Sequence, residues 1–378
     1  MGSSSTILPR RPAAERPDQT TVILLWSGFI SFILVLLALD LGVFHRGAHT
    51  VGFGEAARWS AFWLGLGAAF SVFIWFAFEN QWFGLGLRPD PVDGTVLNGT
   101  EAASKYLTGW LIEQSLSVDN LFVIAVIFSS FAVPSAYQHR LLFWGILGAI
   151  VLRGIMIGVG IQLIQMFHWL LFVFGGILVV TALKLLFSKE SHSDPSLSFS
   201  VRLTKRFFRV TDRYHGNRFV VWRPQLGDSH SSVVPEESAS LLSDRAIAAA
   251  PSGAMLLTPL AVALVTVEAT DVVFAVDSIP AIFTITADPF IVFTSNIFAI
   301  LGLRSLFFLL AGLLDRFHAL RYSLAAILLL IGFKMFFADW LKEVVGKQFN
   351  LVLLGAVAAT LAAGVAVSIL TSPPKDRR

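Results

Sequence analysis

About nine stretches of roughly twenty mostly apolar residues run through this chain, near 22–44, 60–80, 106–131, 140–165, 169–188, 255–285, 290–314, 320–338 and 349–371. A stretch of that length crosses the hydrocarbon layer of a bilayer as a helix, and a helix satisfies its own backbone polar groups where no water can. The expected fold is therefore an all-α polytopic membrane protein with about nine transmembrane helices. Composition agrees. The 378 residues are 55% hydrophobic and 14% charged, against about 25% charged in soluble domains. The chain has no cysteine. Disulfides, thiolate metal sites and thiol redox chemistry are thereby excluded for the chain itself.

The polar parts divide the chain. Residues 1–21 form an N-terminal tail, 22–188 a first membrane half, 189–253 a basic loop, 254–371 a second membrane half and 372–378 a C-terminal tail. The N-terminal tail shows no separate signal-peptide pattern. Its "MGSSST" start fits the myristoylation pattern, a weak signal in a chain already anchored by many spans. The loop carries Lys189, Arg202, Lys205, Arg206, Arg209, Arg213, Arg218, Arg223 and Arg245, with a short amphipathic element expected around Val201–Val210. The positive-inside rule places this loop in the cytoplasm, together with the C-terminal "KDRR". Arg10, Arg11 and Arg16 pull the other way on the N-terminus, which this topology puts outside. Beside a bilayer, the basic loop suits anionic lipid headgroups, and no nucleic-acid partner is expected.

Three spans recur. With Asp119 aligned on Asp277, Glu113 falls on Asp271 and Asn120 on Ser278. The next span of each set holds one arginine, Arg153 in "AIVLRGIM" and Arg304 in "AILGLRSLFF". "FHWLLFVFGGILVVTALK" then matches "FHALRYSLAAILLLIGFK", ending on Lys184 and Lys334. The units are about 106–188 and 255–338. Each has an odd number of helices, so the copies should cross in opposite senses, an inverted repeat of three-helix units of the kind transporters build around a central site. Gly175–Gly176 and Ala325–Ala326 match within it and predict close helix packing. His168 and His318 fall in short turns, where interfacial or capping roles are expected.

Five carboxylates lie inside apolar helices: Glu113 and Asp119 in the first unit, Glu268, Asp271 and Asp277 in the second. A charge at the bilayer centre costs at least about 2.5–3.5 kcal/mol, so five unpaired ones would cost roughly 12 kcal/mol or more. They must face the bundle interior and meet partners. One reading is a structural network with Arg153, Arg304, Lys184 and Lys334. The other, favoured by the excess of acids over mid-span arginines, is a cation site. Glu113, Ser117 and Asn120 share a helix face at i, i+4, i+7. Pro280 removes a helical hydrogen bond and should free the Val276 carbonyl beside Asp277. Asn296 opens the span that holds Arg304 and could reach the site. Carboxylate, amide and hydroxyl donors suit hard cations such as Mg²⁺, Ca²⁺ and Mn²⁺. No nucleotide loop, nucleophile elbow or zinc-protease motif is present, so no enzyme activity and no permanently bound cofactor are expected.

The motifs "EQSLSVDNLFV", "VEATDVVFAVDSIPAIF", "SNIFAILGLRSLFF", "LLIGFKMFF" and "RYHGNRF" closely resemble those of the TerC family of integral membrane proteins, over about Val22 to Phe337. The family is named for tellurium resistance, and many bacterial members are linked to manganese efflux. The resemblance implies a multi-pass protein of the bacterial inner membrane that exports a divalent cation by alternating access. It implies Glu113, Asp119, Asn120, Glu268, Asp271, Asp277 and Ser278 as metal positions; spacing, charge and repeat position add Ser117, Arg153, Arg304, Asn296, Pro280, Lys184 and Lys334 in support. Mn²⁺ (or Ca²⁺ or Mg²⁺) is then the substrate, and the bilayer the surrounding partner. Two rival readings remain: a member of a membrane complex that assists insertion or metalation of membrane or secretory proteins, and an exporter of another solute tied to tellurite resistance.

Overall fold

Helix starts are marked by their caps. Asn98 accepts from the Glu101 backbone N–H while Glu101 returns a bond to the Asn98 N–H, a reciprocal cap that fixes the first turn of a long helix. Thr258 and Asp288 cap two further helices, each followed by a proline whose missing N–H costs nothing there. The computed structural model describes residues 18–44, 53–167, 169–187, 199–224, 243–310, 320–337, 340 and 349–371. His168, His318, residues 1–17 and 372–378 of the tails, Lys189 and part of the Ser-rich loop lie outside the described residues.

The first half comprises α1 (Gln19–Phe44), α2 (Phe53–Glu79), α3 (Gly99–Ser130), α4 (Ser135–Met166) and α5 (Leu170–Phe187). Between the halves come α6 (Phe199–Phe207), β1 (Val220–Trp222), α7 (Arg245–Ala249) and β2 (Met255–Leu257). The second half comprises α8 (Pro259–Phe283), α9 (Pro289–Leu301), α10 (Leu303–Leu310), α11 (Leu320–Phe336) and α12 (Phe349–Thr371). Every predicted span contains a helix among the described residues, and the chain is an all-α polytopic membrane protein. Among the described residues six helical stretches are long and apolar enough to cross a bilayer: Gln19–Leu39, Gly54–Glu79, Ser135–Met166, Pro259–Phe283, Pro289–Leu309 and Asn350–Ser368. α3 has the length but carries Glu101, Lys105, Glu113 and Asp119. α5 and α11 are apolar but shorter. The predicted span at 255 starts later, at Pro259, because Met255–Leu257 pairs as a strand with Val220–Trp222.

The three-helix sets exchange partners. α4 packs on α8, α3 packs on α9, and α5 packs on α11. Glycine permits the closest approaches. A side chain at Gly160 of α4 would strike the Phe283 ring of α8, and one at Gly332 of α11 would press on the Gly175 carbonyl and Val179 of α5. The contacts also give direction. Gly109, early in α3, abuts Ile282, late in α8, whereas Asn120, further along α3, shares a cavity wall with Val267, earlier in α8. The two acidic helices therefore run antiparallel. Gly145 and Gly160 of α4 meet Val267 and Phe283 in the same order, so α4 and α8 run parallel.

The segment between the halves is more ordered than its composition suggests. β1 and β2 form an antiparallel pair with Val221 opposite Leu256, closed by Ile247 and Ala250 underneath. The Tyr214 hydroxyl donates to the Phe131 carbonyl at the end of α3 (2.6 Å), and the Arg140 guanidinium lies 5.2 Å over the Phe219 ring. The Thr258 hydroxyl donates to the Arg218 carbonyl at 2.7 Å. This small unit is thereby seated on one end of the bundle, where α3 ends and α4 and α8 begin.

Candidate cation site in the helix bundle

Arg153, halfway along α4, is fully buried. A guanidinium in that position must have every donor engaged. One Nη1 bond goes to the Glu113 carboxylate of α3. The same nitrogen stands 3.2 Å from Asn296 Oδ1 of α9 and 3.4 Å from Ser278 Oγ of α8. Nε and Nη2 reach the two oxygens of Asp271 on α8 at 3.3 and 3.1 Å, the planar two-toothed pairing that arginine forms and lysine cannot. The Asn296 amide nitrogen donates to Val292 O at 3.1 Å, which orients its oxygen toward Arg153. The repeat-matched acids Glu113 and Asp271 thus converge on one cation, drawn from helices of both sets.

Beside this cluster lie buried polar atoms with no hydrogen-bond partner: Ser117 Oγ, Asn120 Nδ2 and Glu268 Oε2. The Glu268 carboxylate rests against the α4 backbone at Gly148, a place that any side chain there would fill. A cavity of about 30 Å³ opens between α3, α4, α8 and α10, lined by Asn120, Thr270, Asp271 and Leu303 among others. That volume holds about one water-sized occupant. Among the described residues no three acidic or imidazole side chains converge as a ready metal cage. The oxygens are instead organised around the guanidinium.

The remaining expected residues are distributed differently. Asp119 and Asp277 sit on α3 and α8 by backbone, and their side chains lie outside the described residues. Arg304 is buried at the head of α10. Pro280 is buried inside α8, which runs helical through it to Phe283. Lys184 is exposed near the end of α5. Its repeat partner Lys334 does not reach for the membrane surface as a lysine near a helix end commonly does. It is buried, and its ammonium donates to the Thr284 carbonyl at 2.7 Å, just past the end of α8.

One cluster has no counterpart in the sequence reading. Lys105, wholly buried in the second turn of α3, pairs with Asp90 at 2.7 Å and Asp93 at 2.5 Å. Asp90 also accepts from the Thr286 hydroxyl (2.5 Å) and the Ala287 N–H (3.0 Å) in the α8–α9 turn. This ties the segment before α3 to the second half at the bundle end opposite the small inter-half unit. The only signal was the acid pair in the turn-rich "RPDPVDG" and a lysine one residue outside a predicted span.

Residues 98–376 match the family model described as integral membrane protein TerC family. A protein of Myxococcus xanthus described as an uncharacterized membrane protein is 42% identical over 348 residues, covering 92% of each chain. Proteins of Salmonella typhi and Escherichia coli (strain K12), both named "Putative membrane-bound redox modulator Alx", are 42% identical over 319 residues and 41% over 318. These alignments cover 84% of this chain and 86% and 87% of theirs. No solved structure matches the chain.

Proposed function

The chain belongs to the TerC family of integral membrane proteins, and on that premise we propose that it exports a divalent cation, Mn²⁺ foremost, by alternating access. The observation that carries this reading is the ring of oxygens from α3, α8 and α9 around the Arg153 guanidinium. The guanidinium stands where a cargo cation would be neutralised. Next to it, Glu268, Asn120 and Ser117 hold buried polar atoms with no partner of their own. A divalent ion entering there draws Glu113 and Asp271 from Arg153, and on its release the arginine returns. Hard oxygen donors suit Mn²⁺, Mg²⁺ and Ca²⁺. The exchange of partners between sets, with α3 and α8 antiparallel, supports an inverted repeat whose halves rock about this point. In this reading the membrane is the bacterial inner membrane and the basic segment faces the cytoplasm.

The test is Mn²⁺ flux into proteoliposomes, wild type beside Asp271→Asn and Glu268→Gln. Saturable flux in the wild type, lost at least tenfold in either folded variant, is expected. Equal flux in all three would overturn the reading.

The relatives' printed name raises a redox role. This chain has no thiol to exchange electrons, so any redox effect follows from the metal it moves. A role within a larger membrane complex is favoured by the ordered unit seated on the bundle end. Mn²⁺ flux by the purified protein alone would sink that alternative.

A further inference from the structure

We infer that α6 lies in the headgroup layer of an anionic leaflet and docks the small inter-half unit onto the bilayer around the bundle. α6 is nine residues long and packs against α8, the span that begins at Pro259. Its surface divides into three stripes at helical spacing. Val201 and Thr204 are buried. Arg202 and Arg206, four residues apart, are exposed, with Lys205 exposed beside them and Arg209 exposed just past the helix. Leu203 and Phe207, also four apart, form a third stripe and are 42% and 70% exposed.

A bilayer fits all three stripes. One faces protein, one is apolar and one is cationic, which is the pattern of a helix lying in the interface plane with aromatic and aliphatic groups toward the acyl chains and basic groups among phosphates. Two observations select lipid over another occupant. The helix is held at the mouth of a membrane-spanning helix, so the leaflet is its neighbour. All four of these exposed charges are positive, complementing anionic headgroups. The inference is independent of the transported ion.

The absence of cysteine from the chain makes the test clean. Phe207→Cys, and separately Leu203→Cys, is labelled with an environment-sensitive fluorophore in the full-length protein. Each is placed in nanodiscs of phosphatidylglycerol or of phosphatidylcholine. In phosphatidylglycerol the emission should shift to the blue, and spin-labelled lipid should quench it several-fold more than in phosphatidylcholine. Arg202→Glu with Arg206→Glu should abolish the difference. Water-like emission in both lipids overturns the proposal. So does equal insertion in both, or insertion that survives the charge reversal. Shielding seen in native membranes and lost in nanodiscs of either lipid would mean a protein covers the helix, and would also overturn it.

Discussion

Arg153 and Glu268 should behave oppositely when altered. Arg153→Met leaves the buried Glu113 and the partly buried Asp271 with their shared cation gone, which should cost about 3–5 kcal/mol, read as a fall in the apparent Tm of the purified protein. Adding Glu113→Gln should recover part of that loss, and a double variant no better than the single one would refute the pairing. Glu268→Gln breaks no hydrogen bond at the unpartnered Oε2, so its Tm should hold, while on the proposed cation reading flux falls. Lys105→Met should destabilise on a similar scale, and Lys105→Met with Asp90→Asn less than the sum. That Glu113, Asp271 and Arg153 would meet partners was legible because a charge in an apolar run must find one. Which acid met which cation was not legible, since that is fixed by helix rotation. Lys105 escaped notice because its partners lie in a turn that no periodicity marks.

At the scale of elements, glycines set how near helices approach. Gly332→Leu should force α11 from α5 and lower stability by about 1–3 kcal/mol, seen as a drop in Tm with the oligomeric profile unchanged. The span pattern foretold the helices well, because twenty apolar residues leave few alternatives. It missed the strand pair at 220–222 and 255–257, where three-residue strands carry no periodic signal. That unit is held partly by Asp244. Burial pushes its carboxyl up, but the Asp212 N–H, the His215 ring and the Ala246 and Arg213 N–H groups outweigh it and hold the carboxyl below its usual range. A lowered folded-state pKa gives stability above the unfolded pKa that is lost as pH falls through the folded one. Protease sites in 199–224 and 243–258 should therefore open only as pH falls below the usual carboxylate range and stay closed at neutral pH, whereas Asp244→Ala should open them at neutral pH as well.

Across the whole molecule, the two sets of helices hold each other. α3 packs on α8 and α9 of the second half as extensively as on α2 of its own, and α4 packs on α8 and α9, so neither half should be stable alone. Halves expressed separately should each be degraded, and expressed together should accumulate and co-purify as a stable pair. The order of synthesis then matters. Glu113 meets Arg153 after 40 residues of further chain, but Asp271 emerges 118 residues after Arg153. At about 5–20 residues per second that is a wait on the order of ten seconds. During it the first acid and the arginine share the membrane as a lone pair, and the nascent chain sits half-built with an open side. The Glu113–Arg153 contact spares each of these two charges a solitary place in the bilayer during that wait.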